Sequence, residues 1–168
     1  KRDKSVYSRE EAGHWEADTV VSGQGKSKAC FATLGGAQDS VYIAMKMSDR
    51  RAETMENAIV AALSAFPPQL VKTITCDRGT EFANWRRIEE RLHCEVYFAD
   101  PYCAWQKGTN ENLNGLLREF YPKGRNLSRV APATLKRNLA LLNARPRKVL
   151  NFHSARELWD FELNSCCT

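Results

Sequence analysis

Three acidic residues lie within or at the ends of predicted strands and helices, where their carboxylates could act in catalysis. Asp18 lies in the middle of a β-rich run, Asp77 ends a second such run, and Glu111 starts a helix-like segment. Three carboxylates in one cleft repel each other unless cations neutralise them. Oxygen ligands without Cys or His favour hard ions such as Mg²⁺ or Mn²⁺. Two such ions about 4 Å apart suit an in-line displacement at a phosphodiester.

Taken singly, each carboxylate also has an ordinary structural explanation, and these explanations stay open. Asp18 could face solvent, although Asp is disfavoured within strands. Asp77 precedes the segment Arg78-Gly79-Thr80 and could cap a helix or a turn. The carboxyl end of a strand is, however, also where sites form in open α/β sheets. Glu111 could belong to a salt-bridged surface helix.

The helix-like segment around Glu111 begins with Asn and Gly, which are poor helix formers. At 100° per residue, Leu113 and Leu117 point about 200° and 240° away from Glu111, so they take the core side. The side of the helix that carries Glu111 also carries Lys107, Asn114 and Arg118.

Strand-like and helix-like segments alternate along the chain and would position these residues. Three strands are predicted at 14–21, 29–34 and 40–47, as antiparallel neighbours joined by short turns. Helices at 51–66 and 81–93 then alternate with strands at 71–77 and 95–100, and helices follow at 109–121, 132–144 and 154–163. This order predicts an α/β protein with a mixed five-stranded sheet and helices on both faces, the pattern of the ribonuclease-H-like fold. Other α/β folds could share the order.

The charge of the chain is distributed unevenly. Residues 107–156 carry 11 Lys and Arg against two acids, a balance of +9, although the net charge of the 168 residues is +5. Such a block favours a polyanionic partner, most often nucleic acid, over a merely solvated basic face. No apolar run reaches the roughly 18 residues of a membrane span, so we expect no membrane association.

The six cysteines form no C-x-x-C pair and the three histidines are scattered, which argues against a zinc site. Cys30, Cys76 and Cys94 fall in or beside predicted strands, where Cys behaves as a small core residue. We expect reduced thiols in a cytoplasmic protein. We also expect residues 1–12 to be a linker from a missing N-terminal region and residues 13–168 to form one domain.

Four stretches resemble the catalytic core of IS30-family transposases, within the retroviral-integrase-like DDE superfamily. In chain order they are GHWEADTVVSGQGK, VKTITCDRGTEFA, VYFADPYCAWQKGTNENLNGLLREFYPKG and LNARPRKVL. There are 58 residues between Asp18 and Asp77 and 33 between Asp77 and Glu111, and the family spaces its acidic triad similarly. The segments 35–40 and 153–155 depart from the family pattern.

The resemblance implies that Asp18, Asp77 and Glu111 are the catalytic triad and hold two Mg²⁺ or Mn²⁺ ions. Such enzymes cut DNA at transposon ends by water attack and join a 3′-hydroxyl to target DNA, without a covalent enzyme intermediate, and they work as dimers or larger assemblies. Trp105, Gln106 and Lys107 match the loop before the family's Glu. The residues expected to contact DNA or support the site are Lys107, Asn110, Asn112, Asn114, Arg118, Lys123, Arg125, Arg145, Arg147 and Lys148.

Two other functions remain open at this point. A ribonuclease-H-like nuclease would hydrolyse DNA and never join it, and a domesticated element would bind DNA without catalysis. The intact triad argues against the second alternative. The family's N-terminal helix-turn-helix region does not occur in this sequence, so we expect little sequence specificity from this chain alone.

Overall fold

A computed structural model describes residues 11–100 and 107–166. The predicted linker at 1–12 and the predicted loop at 101–107 lie mostly outside these ranges, as do Trp105 and Gln106. In chain order the strands and α-helices are β1 (His14–Val21), β2 (Cys30–Gly36), β3 (Tyr42–Met47), α1 (Ala52–Leu63), β4 (Thr73–Cys76), α2 (Trp85–Leu92), β5 (Glu95–Phe98), α3 (Gly108–Phe120), α4 (Pro132–Ala144) and α5 (Ala155–Cys166).

The five strands form one mixed sheet in the order β3-β2-β1-β4-β5. The pairs β1–β2 and β2–β3 are antiparallel, whereas β1–β4 and β4–β5 are parallel. Parallel neighbours need crossover connections, and α1 and α2 supply them. The sheet therefore places β1 and β4 side by side at its centre.

Alternation along the strands divides the core between the two faces of the sheet. On β1, Trp15 and Ala17 belong to the cluster covered by α1, α2 and α5, and Trp159 packs edge-on against Trp15. Val20 and, on β2, Phe31 belong to the cluster covered by α3 and α4. The prediction of helices on both faces is confirmed, and the three strand cysteines are buried as predicted.

Some boundaries differ from the prediction for identifiable reasons. The helix predicted at 81–93 is a 3-10 turn at Thr80–Phe82 followed by α2, because Glu81 and Phe82 are buried and hold the first part against the core. The helix predicted at 51–66 ends at Leu63. Phe66 lies outside it, because a residue that precedes proline avoids the helical conformation. Across the described ranges, no helix has the length and apolar character to cross a membrane.

Candidate active site

Asp18 and Asp77 lie side by side on the two central strands. β1 and β4 pair in parallel with Glu16 opposite Thr75. Continuing this register by two residues places Asp18 beside Asp77, which directly follows β4. The carboxylate of Asp77 is oriented locally, because its Oδ1 accepts a 2.8 Å hydrogen bond from the backbone N–H of Gly79.

The ammonium group of Lys107 lies between these two carboxylates. Its Nζ is 3.3 Å from Asp18 Oδ1 and 3.1 Å from Asp77 Oδ2. The Lys107 side chain is 13% exposed, against 29% for Asp18 and 49% for Asp77. Burial by itself would lower the pKa of Lys107, but the two carboxylates outweigh it and raise that pKa above its ordinary value. The paired aspartates therefore bind a cation in this structure.

The chemistry of this pair fits a hard divalent ion. All its donor atoms are carboxylate oxygens, which suit Mg²⁺ or Mn²⁺. Cys76 precedes Asp77, but burial raises the pKa of its thiol to about 12, so it stays a neutral thiol and a poor ligand. In the part of the chain that the structure describes, no three His, Cys, Asp or Glu side chains converge closely enough to hold a metal. The structure thus brings together two of the three predicted ligands.

Glu111, the third predicted ligand, lies exposed in the first turn of α3. Within residues 11–100 and 107–166, no hydrogen bond or ion pair joins it to either aspartate. Its neighbours on the same side of the helix, Lys107 and Asn114, both contact Asp18. Glu111 and Asn114 are about 60° apart around the helix axis, so Glu111 lies on the flank of α3 that faces Asp18. Its role as a ligand stays a prediction.

Asn114 is held against Asp18 by a hydrogen-bonded chain. Its Nδ2 donates to Asp18 Oδ2 at 2.9 Å, and its Oδ1 accepts from the hydroxyl of Tyr42 at 2.6 Å. Asn143 on α4 exchanges two hydrogen bonds with the backbone of Tyr42. Burial raises the pKa of Tyr42 well above its ordinary value, so its hydroxyl remains a donor. Strand alternation indicates that Tyr42 is buried, but nothing in the sequence indicates its partners.

A buried acid connects the segments that carry the two aspartates. Glu81 is 3% exposed, and its Oε1 accepts from Thr19 Oγ1 at 3.1 Å and from the guanidinium of Arg50. Thr19 follows Asp18, and Glu81 lies four residues after Asp77. The sequence predicts neither of these two contacts. An acid placed shortly after a strand, as Asp77 is, could nevertheless have indicated Glu81.

Several predicted DNA-contacting cations lie at the carboxyl end of β1. The guanidinium of Arg118 donates to the carbonyl of Val21 at 3.4 Å. The backbone N–H of Gly23 donates to the carbonyl of Arg125 at 2.9 Å, and a Cβ at Gly23 would lie 2.4 Å from a backbone oxygen of that segment. Lys123 and Arg125 are exposed. We call residues 118–125 the basic segment.

A groove of about 830 Å³ opens beside the basic segment at the same edge of the sheet. It contains three cationic side chains, Lys28, Arg50 and Arg51, of which Arg50 is paired with Glu81 and Arg51 with Asp49. The remaining lining residues are Val21, Ser22, Ser27, Ala29, Ser48 and Asp49. Through Arg50, this groove extends from the carboxyl end of β1 to Glu81, four residues after Asp77.

Two residues predicted to contact DNA or support the site are buried. Asn110 is fully buried, with 0% exposure, because it binds the backbones of β1 and β2. Arg147 is 8% exposed, and its guanidinium donates to the carbonyls of Ser40 and Leu142. Of its two predicted companions, Lys148 is exposed, whereas Arg145 forms an exposed ion pair with Glu119. Burial therefore removes Asn110 and Arg147 from the predicted DNA surface.

Comparison with known proteins identifies the family. The Integrase core domain family matches residues 8–104. The probable transposase for insertion-like sequence element IS1161 of Streptococcus salivarius is 34% identical over 160 residues, which cover 95% of this chain and 45% of that protein. Transposase InsI for insertion sequence element IS30C of Escherichia coli (strain K12) is 34% identical over 158 residues, which cover 94% of this chain and 40% of that protein. The chain spans less than half the length of these curated relatives.

Solved structures share the fold at low sequence identity. The catalytic core domain of BIV integrase has a TM-score of 0.69 and 15% identity, covering 94% of this chain and 99% of that one. The HTLV-2 integrase catalytic core domain, solved in complex with magnesium, has a TM-score of 0.65 and 14% identity, covering 88% and 95%. These likenesses confirm the ribonuclease-H-like fold. The family match across more than half of the chain shows that the chain belongs to the integrase core domain family, and the relatives that align along nearly all of it are transposases of insertion sequence elements.

Proposed function

We propose that this chain is the catalytic core of a DNA transposase that cuts DNA strands and joins a 3′-hydroxyl end to a second DNA, with Mg²⁺ or Mn²⁺. The observation that carries the proposal is the pair of Asp18 and Asp77 carboxylates on adjacent parallel strands, which share the Lys107 cation. Carboxylates from two strands that already bind one positive charge are suited to divalent ions. The transposases among its relatives support the reaction.

Asp18, Asp77 and Glu111 would hold the ions. When bound there, two divalent ions would activate the attacking oxygen and stabilise the leaving oxygen. In cleavage, a water oxygen attacks the phosphorus and the 3′-oxygen leaves as a hydroxyl. In joining, that 3′-hydroxyl attacks a phosphorus of the target, so one phosphodiester forms as another breaks. Asn114 contributes by fixing the orientation of the Asp18 carboxylate.

The basic segment and the adjoining groove would bind the DNA backbone of the transposon end and the target. Lys123, Arg125 and Arg118 lie at the edge of the sheet where the aspartates lie, and Lys148 is a further exposed cation. Contacts of this kind bind phosphates and are weakened by salt. The solved structures that share the fold include a trimeric form and an intasome, which supports a dimer or larger assembly. The transposases among the relatives come from bacteria, so the DNA would be the bacterial chromosome in the cytoplasm.

The substitution Asp77→Asn tests the assignment. A short duplex with a free transposon-end 3′-hydroxyl, a labelled target duplex and Mn²⁺ should yield joined product with the unaltered chain and none with the variant. The control Asp160→Asn removes the same charge from an exposed position on α5 and should keep the activity. Joining by the Asp77→Asn variant at the unaltered rate would refute the assignment. Hydrolysis without joined product by the unaltered chain would support the nuclease instead.

A further inference from the structure

Asn110 connects the start of α3 to the antiparallel strands β1 and β2. Its Nδ2 donates to the backbone carbonyls of Glu16 at 2.8 Å and Thr33 at 3.2 Å. Its backbone N–H donates to Glu16 Oε2 at 2.8 Å. Asn110 is 0% and Glu16 2% exposed. A buried amide and a buried carboxylate, 94 residues apart, therefore hold these elements together without solvent.

The carboxylate of Glu16 caps α3 from a neighbouring strand. The helix begins at Gly108, so Asn110 is its third residue, whose N–H has no acceptor within the helix. An N-cap side chain usually accepts such a hydrogen bond, but the N-cap residue here is Lys107, which makes no capping bond and has only donors. Glu16 supplies both the missing acceptor and a negative charge, which a helix N-terminus favours.

Two contacts fix the position of α3 along β1. Asn110 binds Glu16, and Asn114, four residues later, binds Asp18, two residues after Glu16. Four residues of a helix rise about 6 Å, and two residues of a strand span about 6.8 Å. The two spacings match closely enough for both contacts to form, with α3 running in the same direction as β1.

Gly35 allows α3 to approach this closely. It lies opposite Glu16 on β2, and a Cβ there would be 2.9 Å from Leu113 Cδ1 and 3.6 Å from the Cα of Asn110. Leu113 is buried, with 1% exposure, so it has little room to yield. A side chain at position 35 would therefore move the first turn of α3 away from the sheet.

We propose that Glu16 and Asn110 are positioning residues that set the distance between Glu111 and Asp18. Glu16 lies two residues before Asp18 on the same face of β1, and Asn110 immediately precedes Glu111 on α3. The hydrogen bonds between them fix the helix that carries one proposed ligand relative to the strand that carries another. This inference rests on the proposed role of Glu111 as a metal ligand.

Mn²⁺ titration followed by electron paramagnetic resonance tests the inference, at a temperature where circular dichroism shows each variant folded. Asn110→Ala and Glu16→Ala should weaken Mn²⁺ binding by about 10- to 100-fold, as is usual for residues that orient ligands. Glu16→Gln keeps an acceptor for the N–H of Asn110 and should restore most of the affinity. Glu90→Gln, which removes the same charge from an exposed position on α2, should change nothing.

Combination with Glu111→Gln separates positioning from general stability. If Asn110 acts through Glu111, Asn110→Ala should cause no further loss of Mn²⁺ affinity in the Glu111→Gln background. Should Asn110→Ala fail to fold, Gly35→Ala displaces the same turn and should show the same pattern. Variants that melt at lower temperature yet bind Mn²⁺ like the unaltered chain would overturn the inference. A Glu111→Gln variant with unchanged Mn²⁺ affinity would instead overturn the proposed ligand role itself.

Discussion

Replacing Lys107 with Met removes the ammonium group between Asp18 and Asp77 and keeps most of the aliphatic side chain. The two charge pairs, at 3.1 and 3.3 Å, are each worth about 1.3 kcal/mol at the dielectric constant of water and about 5 kcal/mol at a value of 20. Asp18 is 29% and Asp77 49% exposed, so the lower figure applies, and the cost of burying the ammonium offsets part of it. We expect a net loss of about 1–2 kcal/mol, which lowers the melting temperature by about 2–8 °C for a chain of this size.

The same substitution should strengthen the effect of added metal. Without Lys107, a divalent ion no longer competes with an internal cation for the two carboxylates, so Mn²⁺ should raise the melting temperature of the variant more than that of the unaltered chain. Thermal melts followed by circular dichroism, with and without Mn²⁺ at 0.15 M salt, measure both quantities. Lys136→Met, at an exposed position on α4, is the control. Equal melting temperatures and equal Mn²⁺ shifts for Lys107→Met and the unaltered chain would refute the argument.

Two further predictions concern buried charged groups. Burial raises the pKa of Asp39 to about 6, and the negative charge of Glu162 adds to this effect. The hydrogen bond from the N–H of Val41 and the positive charge of Arg147 lower the pKa but do not outweigh burial. The folded form therefore binds this proton more tightly than the unfolded form, so the stability due to Asp39 rises as the pH falls through 6 toward 4. Asp39→Asn should raise the melting temperature at pH 7 and flatten the dependence of the melting temperature on pH. An unchanged pH dependence between pH 4 and 7 would contradict this prediction. Arg147→Met should lower the free energy of unfolding by about 2–4 kcal/mol, because two buried carbonyls lose charged donors. Lys148→Met, at the exposed neighbouring position, should leave urea unfolding unchanged and weaken DNA binding in a gel-shift assay. If Lys148→Met lowered the stability and Arg147→Met weakened only DNA binding, both the structural role of Arg147 and the DNA contact of Lys148 would be wrong.

Local patterns predict much of the fold. The bounds of β1, 14–21, and of α4, 132–144, agree with the structure. Strand alternation marks the first, and Pro132 in the first turn marks the second. The pairing of Asp18 with Asp77 follows from the order of the strands, since parallel central strands bring their carboxyl ends to one edge.

Residues whose partners are distant in sequence could not be assigned in this way. Glu16 shares a strand face with Asp18, but its partner lies 94 residues away, and no local pattern indicates such a contact. Asn110 does fall on the same helical stripe as Leu113 and Leu117, three and seven residues before them, which could have indicated burial. Its polar side chain suggested DNA instead. The charge of Arg147 likewise suggests a DNA contact, although an arginine can equally donate to buried carbonyls.

The matched spacing of β1 and α3 restricts where this chain can change in length during evolution. One residue inserted between Glu16 and Asp18 would turn Asp18 to the opposite face of the sheet. One residue inserted between Asn110 and Asn114 would rotate Asn114 by about 100° around the helix axis. Insertions and deletions among related chains should therefore fall in the surface connections. An alignment gap within 16–18 or 110–114 would identify a relative whose helix is attached to the sheet by different contacts.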